Sequence, residues 1–462
     1  MSSNSKKYEI DMCTGSLFGK MLKFTLPLIL SSLLQLLFNT SDLIVAGKFA
    51  GQTALASISG TGSLTNLIIN LFVGLSVGAN VCVAKYYGQN NEKDVSETVH
   101  TAVLVSLIFG VVLAVFGFFM ARPLLRLMDT PENVIDGSVL YMRIYFIGMP
   151  VIMLYNFTSA VLRAVGDTKR PLYYLAFAGA INVVLNLFFV IVVGIGVAGV
   201  AIATVVSQAI SAGLVVNTLV HYDGCLRLDP KKLKITRHKL LQMIKIGLPA
   251  GIQGSMFSIS NVLIQSSINS FGDLAMTGNA AAQNIEGYVY VGMNSFHHTT
   301  LSFTSQNYGG RKVKRIRQVV INGLFFATVA GLVLGAIAYI FRYPLLGLYV
   351  AESPDYNEII EYGVTRMAVI MFTYFTCGTM DVLVGGLRGL GKSIPPMLIT
   401  MAFVCGFRIL WIYTVFAEVH TLTCLYISYP VSWILATIAQ GIYYVITYKK
   451  VKKTMLAEGN PQ

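Results

Sequence analysis

The stretch "LRAVGDTKRP" at residues 162–171 occurs a second time in the chain, as "LRGLGKSIPP" at residues 387–396. The two copies share the Leu-Arg pair, the central Gly and the final Pro. Shorter matches recur at the same spacing of about 221 to 225 residues, among them "LKFTLP" ending at Pro27 and "IKIGLP" ending at Pro249. A fixed spacing of this kind indicates one structural unit used twice.

Composition places both copies in a membrane. The 462 residues are 55% hydrophobic and 12% charged, with a mean hydropathy of +0.66, whereas about 25% of a soluble protein is charged. Apolar stretches long enough to cross a bilayer as helices recur along the chain. Their backbone groups need internal partners in lipid, so helices are expected. Twelve such spans are predicted at about 22–46, 55–84, 97–121, 138–162, 171–193, 199–220, 246–271, 276–304, 319–341, 362–387, 395–417 and 421–447.

The predicted fold is an all-α polytopic membrane protein with two six-helix lobes. Each repeat has an even number of spans, so both copies cross in the same direction and are related by a pseudo-twofold axis along the membrane normal. Several families of secondary transporters have this parallel-repeat arrangement. A membrane scaffold or receptor that transports nothing is the alternative. The predicted domains are a cytoplasmic tail 1–20, an N-lobe 21–221, a cytoplasmic linker 222–245, a C-lobe 246–448 and a cytoplasmic tail 449–462.

The net charge of +13 is explained by membrane topology rather than by nucleic-acid binding. On this topology 27 of the 34 Lys and Arg fall on one side, which predicts a cytoplasmic-membrane protein with both termini in the cytoplasm. The basic run "KKLKITRHK" at 231–239 is then a connector near anionic lipid. No cleavable signal peptide is recognised before the first span. The six cysteines show no spacing typical of disulfide frameworks or zinc sites, and no metal is predicted.

Two glycine motifs resemble nucleotide sites and are set aside. "GLRGLGKS" at 386–393 fits a phosphate-binding pattern and "GIGVAG" at 194–199 fits a dinucleotide pattern, but both need a strand, a glycine loop and a helix in a soluble domain. One ends a membrane helix and the other is a turn between spans. Without an ATPase domain, energy must come from an ion gradient or a partner.

Three carboxylates lie well inside the spans: Asp42, Glu286 and Asp381. A charge in the bilayer costs about 2.5 kcal/mol or more, so each is a functional candidate. Asp42 shares a helix face with Gln35 and Asn39, at offsets typical of one polar stripe. A buried acid that only satisfies a neighbouring helix is the alternative.

The second repeat carries a different polar stripe. Glu286, Tyr290 and Met293 recur at helical spacing, and an acid, a ring and a thioether suit a planar cation. His297 ends the stripe as a proton carrier or a satisfied core residue. The predicted substrate cavity comprises Gln283, Glu286, Tyr290, Met293, His297 and Asn156.

Asp381 aligns with Asn156 of the first repeat. Arg408, deep in the eleventh span, is the expected partner of a second-half acid. A pair of Asp381 with Arg408 would make that acid structural or gating, and an unpaired Asp381 would leave proton transfer open.

The chain resembles the multidrug and toxic compound extrusion (MATE) family over roughly residues 17–447, in particular its bacterial DinF-like branch. The resemblance is carried by Pro27, "NTSDLIVAGKFAGQTALAS", "GLSVGANVCVAKYYGQ", "LRAVGDTKRP", "NIEGYVYVGMNSF", "SFTSQNYGG", "LRGLGKSIPP" and "FRILWI". It implies a two-lobed antiporter that exports cationic, often aromatic, small molecules in exchange for protons or sodium.

The resemblance also assigns roles. Asp42 falls on the first-helix aspartate that serves proton coupling or substrate contact, and Gln35, Asn39, Asn182 and Asn186 are its predicted helpers. Asn186 stands where many members have Asp, and Phe257 stands where NorM-like members carry an acidic cation ligand, which disfavours a sodium site. No cofactor is expected besides the coupling ion, H⁺ or Na⁺. The expected partners are organic cations and the lipid bilayer, not nucleic acid, and the protein is expected to be a monomer. Export of an endogenous metabolite or lipid-linked precursor is the alternative.

Overall fold

The computed structural model describes residues 6–457 of this chain. Within that range the fold is helical, and twelve long helical segments follow one another, labelled α1 to α12. Short connectors separate them, with single turns of 3-10 helix at Lys6–Tyr8 and Pro230–Lys232. The segments are α1 Leu17–Ala50, α2 Gln52–Gly88, α3 Glu92–Leu127, α4 Glu132–Ile147 with Met149–Ala164, α5 Lys169–Val192, α6 Gly196–Val220, α7 Arg237–Asn269, α8 Asp273–Gly309, α9 Val313–Ile340, α10 Tyr356–Thr373 with Phe375–Gly389, α11 Ile394–Glu418 and α12 Leu422–Ala457.

The all-α prediction is confirmed, and the helices extend beyond the predicted spans at most ends. Eight of the described segments are long and apolar enough to cross a membrane alone, and the bent pairs of α4 and α10 raise the number to ten. The remaining two, α7 and α8, are 33 and 37 residues long but less apolar. In α8 the reason is a buried polar face that includes Asn279, Glu286 and His297.

The duplication appears in backbone conformation as well as in letters. Gly51 immediately precedes α2 and has φ 91°, and Gly272 immediately precedes α8 and has φ 92°. The central glycines of the repeated stretches 162–171 and 387–396 also match in conformation, since Gly166 has φ 94° and Gly391 has φ 77°. This left-handed region is open to glycine without steric cost, which explains why both repeats keep Gly there.

The bends and irregular turns repeat too. The two halves of α4 meet at 49° and those of α10 at 46°. In α4 the bend precedes Pro150, which cannot donate a helical hydrogen bond. Both α5 and its repeat partner α11 contain a π-helical segment, at Phe188–Val192 and Met401–Gly406. Such wide turns often mark functional sites.

The described chain divides into two compact units. The first takes the residues through Asp11 and Leu26–Gly251, and the second takes Met12–Thr25 and the residues from Ile252 onward. The sequence predicts a linker at 222–245 and tails at 1–20 and 449–462, and these bounds stay predictions. Residues 1–5 and 458–462 of those tails lie outside the described chain, while residues 449–457 continue α12.

Glycine packing explains why the start of α7 clusters with the first unit. A Cβ on Gly74 of α2 would lie 2.2 Å from the amide nitrogen of Gly251, and one on Gly78 would lie 2.2 Å from the carbonyl oxygen of Met243. Only small residues allow two helices to approach this closely. In the second unit the start of α1 is held differently, by a 2.7 Å hydrogen bond between the hydroxyls of Thr25 and Thr299.

Candidate functional site

The carboxylate of Asp42 lies on α1 inside the first unit, with only 6% of the residue exposed. Its Oδ2 accepts a hydrogen bond from Thr204 Oγ1 of α6 at 3.0 Å, and its Oδ1 accepts one from the side-chain amide of Asn186 of α5. The same Asn186 amide donates to Asn182 Oδ1 at 3.2 Å. Among the described residues, no Lys, Arg or His forms an ion pair with this carboxylate.

Local sequence places Asn182 and Asn186 side by side on α5. Asn182 and Asn186 are one helical turn apart on α5, so their side chains share a face. Beyond Asp42, both α1 and α5 pass into π turns. Those turns pack in one apolar cluster of Val45, Ala46, Ile58, Val190 and Val200. The helices are therefore packed through apolar side chains immediately beyond the carboxylate.

A cavity of about 210 Å³ lies beside Asp42 within the first unit. Its wall combines one carboxylate with amides, hydroxyls and aromatic rings. The lining residues are Gln35, Phe38, Asn39, Asp42, Asn66, Ile69, Val73, Tyr145, Ile152, Tyr155, Asn156, Leu175, Ala178, Gly179, Asn182, Thr204, Ser207, Gln208 and Ser211.

The cavity brings together most of the residues that the sequence proposed around Asp42. The cavity is lined by Gln35, Asn39 and Asn182 together with Asp42. Asn186 does not line the cavity but donates a hydrogen bond to the Asp42 carboxylate. Asn156, which the sequence assigned to a substrate cavity with second-repeat residues, lies in this first-unit wall instead. Their roles in coupling and binding stay predictions.

Glu286 on α8 corrects an expectation from the sequence. Its carboxylate does not present a free charge to a cation, because it is paired with Arg366 of α10. Arg366 Nε and Nη2 donate to the two carboxylate oxygens at 2.6 and 2.7 Å, with 2% and 8% of the two side chains exposed. Arg366 Nη1 also donates to Asn279 Oδ1 at 2.8 Å, and the guanidinium lies 5.1 Å from the ring centre of Tyr429.

The other residues of the predicted second-repeat stripe are either packed in the core or hydrogen-bonded to neighbouring helices. Met293 is fully buried, and Gln283 is partly exposed. His297 is buried, and its Nδ1 lies 2.6 Å from the backbone oxygen of Asp381. Tyr290 donates its hydroxyl to Asp381 Oδ2 at 3.1 Å. The stripe is therefore a packed interface of α8 with α10.

The predicted pair of Asp381 with Arg408 is wrong. Asp381 accepts from Tyr290 and from the Asn294 amide at 3.4 Å, and no ion pair between it and Arg408 occurs in the described structure. Arg408 instead donates from Nε to Ser432 Oγ at 3.0 Å and lies 4.1 Å from the ring centre of Tyr429. The ring face of Tyr429 attracts the guanidinium without an acid.

Sequence reasoning missed two residues of these networks. Thr204 donates to Asp42, and a lone threonine in an apolar helix gives no signal of that contact. Arg366 was detectable, because it lies inside the predicted span 362–387 and a buried guanidinium requires a partner. From the sequence, only Arg408 was considered as the ionic partner of a second-repeat acid.

Comparison with known proteins identifies the family. A family model described as MatE matches residues 27–188 and 249–414, one match in each repeat. The chain belongs to the MATE family. The resemblance to this family stated from the sequence is therefore confirmed.

Among relatives in this family, the probable multidrug resistance protein YoeA of Bacillus subtilis is 27% identical over 454 residues, with 96% of each chain covered. The probable multidrug resistance protein YpnP of the same organism is also 27% identical, over 85% of this chain and 86% of its own. MATE transporters move small organic molecules across membranes, so the chain is a multi-pass membrane transporter and not an enzyme.

Solved MATE structures share the fold. A crystal structure of MATE in complex with MaL6 matches with a TM-score of 0.89 at 20% identity, covering 98% of this chain and all of that one. An outward-facing multidrug resistance MATE family transporter of the MOP superfamily matches with the same score, identity and coverage. The twelve-helix, two-repeat architecture predicted from the sequence is the architecture of these proteins.

Proposed function

We propose that this MATE transporter exports cationic, aromatic or amphipathic compounds in exchange for protons, by alternating access. The carrying observation is that Asp42 is buried at a cavity and has only neutral hydrogen-bond partners in the described structure. Such a carboxylate needs a positive charge from outside the protein, and a proton or an organic cation supplies it. Binding of the two is then mutually exclusive.

The contrast with Glu286 supports this assignment. Both acids are 6% exposed and lie in long helices. Glu286 is neutralised by the bidentate Arg366, whose charge is permanent. The carboxylate of Asp42 is instead bound by two neutral donors, Asn186 and Thr204. Its negative charge therefore stays available to a proton or an organic cation.

Asn186 can serve both states of the carboxyl group. Its amide donates to the ionised form, and its Oδ1 is buried without a hydrogen-bond partner in the described structure. A protonated carboxyl is itself a donor, and it needs such an acceptor. Rotation of the Asn186 amide would exchange donor for acceptor as the proton arrives. An aspartate at position 186 would compete for the same proton, which the asparagine does not.

The cavity wall favours a cation over an anion. Rings of Phe38, Tyr145 and Tyr155 line it beside the carboxylate, whereas no Lys or Arg does. Rings and a carboxylate together attract organic cations. A relative 21% identical to this chain is described as an FAD transporter of Shewanella oneidensis, but an anionic cargo of that kind would meet repulsion at Asp42.

The cavity in this conformation is smaller than a site for a drug-sized substrate. About 210 Å³ holds several waters but falls below the roughly 300–1,000 Å³ of sites for drug-sized ligands. Substrate binding therefore requires the first unit to widen.

The test is transport by Asp42→Asn protein in sealed vesicles with a fluorescent organic cation. A pH gradient and a sodium gradient are imposed separately, each without the other. Wild-type protein should respond to the pH gradient alone, and the variant should lose that response while eluting as a folded monodisperse protein. Asp129→Asn is the matched control, since it makes the same chemical change at an exposed position of the same unit. Wild-type rates in Asp42→Asn, or a response driven only by sodium, would overturn the proposal.

A further inference from the structure

A second cavity, of about 450 Å³, opens in the second unit between the beginning of α9 and the end of α12. It lies far from Asp42 in sequence and is unrelated to the cavity described above. Its wall consists of three basic side chains, two neutral polar ones and three aliphatic ones. These are Val313, Lys314, Arg317, Gln318, Ile321, Tyr448, Lys452 and Leu456.

Within the described parts of α9 and α12, the basic side chains of this cleft have no acidic neighbour in sequence. Residues 305–321 and 441–457 contain nine Lys and Arg and no Asp or Glu. Lys314, Arg317 and Lys452 are exposed to solvent. The neighbouring Arg315 is already used, because its guanidinium donates to the carbonyl oxygens of Met12, Thr14 and Gly15.

The dipole of α9 adds to the excess of positive charge at the cleft. Lys314 and Arg317 lie in the first turns of α9, and no acid is present in its first turn. The positive end of a helix dipole disfavours cations there and favours anions. The cluster therefore costs free energy unless an anion binds, and a bound phosphate would relieve both the dipole and the like-charge repulsion.

Apolar side chains continue from the cleft along both helices. On α9, Ile321 is 50% exposed and Phe325, one turn further, is 54% exposed. On α12, Val445 and Ile442 are 49% and 59% exposed and follow Lys452 and Tyr448 toward the middle of the helix. Each helix thus presents cations at its end and exposed hydrocarbon below them, in the order of a phospholipid headgroup and its chains.

Packing between α9 and α12 underlies the cleft. Ile316 and Val320 of α9 and Tyr444 of α12 share one buried apolar cluster, with Tyr448 packed against it. The Tyr448 hydroxyl donates to the backbone oxygen of Val313 at 3.4 Å. These contacts join the two helices and form the floor of the cleft.

We propose that this cleft binds an anionic phospholipid, with its phosphate between Lys314, Arg317 and Lys452 and its acyl chains along the exposed apolar faces of α9 and α12. Basic pockets between the ends of membrane-spanning helices are suited to anionic headgroups. A soluble phosphate compound would use the cations but not the apolar faces. The site is independent of the proposed transport function.

The experiment measures lipid retention by the purified full-length protein. Phosphatidylglycerol and phosphatidylcholine with identical acyl chains are titrated in detergent, and bound lipid is counted by native mass spectrometry. The test variant is Lys314→Gln with Arg317→Gln and Lys452→Gln. The matched control is Lys449→Gln with Lys450→Gln and Lys453→Gln, which removes the same charge from the end of α12 without touching the cleft wall.

Wild-type protein should retain phosphatidylglycerol and release phosphatidylcholine. The test variant should bind phosphatidylglycerol roughly 100-fold more weakly, because each basic residue at an anionic headgroup contributes about a fivefold factor. The control variant should bind like wild type, and millimolar inorganic phosphate should not displace the lipid. Equal retention of both lipids, equal losses in the two variants, or displacement by phosphate alone would each overturn the proposal. Far-ultraviolet circular dichroism of both variants excludes unfolding as the cause.

Discussion

Replacing Glu286 by Gln should destabilise the second unit. The substitution keeps the shape of the side chain but removes the charge that neutralises Arg366, which is only 2% exposed. Breaking a buried ion pair by removing one partner costs about 3–5 kcal/mol, because the other charge stays buried. Asn279 and the ring of Tyr429 remain in contact with Arg366, so we expect the lower end of that range.

The expected shift is measurable by thermal unfolding in detergent. A loss of about 3 kcal/mol corresponds to roughly 6–12 °C in Tm for a unit of about 200 residues. Tryptophan fluorescence is a suitable probe, because both tryptophans of the chain, Trp411 and Trp433, belong to the second unit. Trp433 lies 5.6 Å, ring centre to ring centre, from Tyr429, so it reports directly on the surroundings of Arg366.

A double-mutant cycle separates the ion pair from other effects. Arg366→Met removes the charge and keeps an apolar side chain of similar length. If the pair is the cause, the double variant Glu286→Gln with Arg366→Met should lose far less than the sum of the two single losses. Glu361→Gln, an exposed acid on α10, is the control and should change stability by no more than about 0.5 kcal/mol. Additive losses, or a Glu286→Gln protein that melts with the control, would refute the reasoning.

Other substitutions test packing and titration. Gly335→Ala should lower the Tm of the second unit, because its Cβ would lie 2.4 Å from the backbone oxygen of Met371. Gly287→Ala, where nothing lies within 4 Å, should leave the Tm unchanged or raise it, since Ala favours a helix by about 1 kcal/mol. Equal effects of the two would contradict the packing. Burial raises the pKa of Asp167 to about 6, although hydrogen bonds and the charge of Arg170 oppose the shift. The folded protein therefore holds this proton more tightly than the unfolded chain, whose Asp titrates at about pH 4. Its contribution to stability falls as pH rises from about 4 to 6. The Tm of wild type relative to Asp167→Asn should fall across that window, and a constant difference would refute it.

Much of this protein could be predicted from its letters. Long apolar runs require helices, because lipid offers the backbone no hydrogen bonds. The match of 162–171 with 387–396 identified the duplication, and helical spacing identified the face of Gln35, Asn39 and Asp42. Each of these depends on residues close together in the chain, or on direct identity between two stretches, and neither requires knowledge of the packing.

The tertiary structure decided which buried charges are neutralised. Helical spacing marked Glu286 and Asp42 alike as unusual acids. Arg366 lies 80 residues from Glu286 in the chain, and Thr204 lies 162 residues from Asp42. A periodic pattern reports which face a side chain occupies, but ionic and hydrogen-bonded partners are chosen by distance in space after the helices pack. That choice gave the carboxylate of Asp42 neutral hydrogen-bond donors and gave Glu286 the charged partner Arg366.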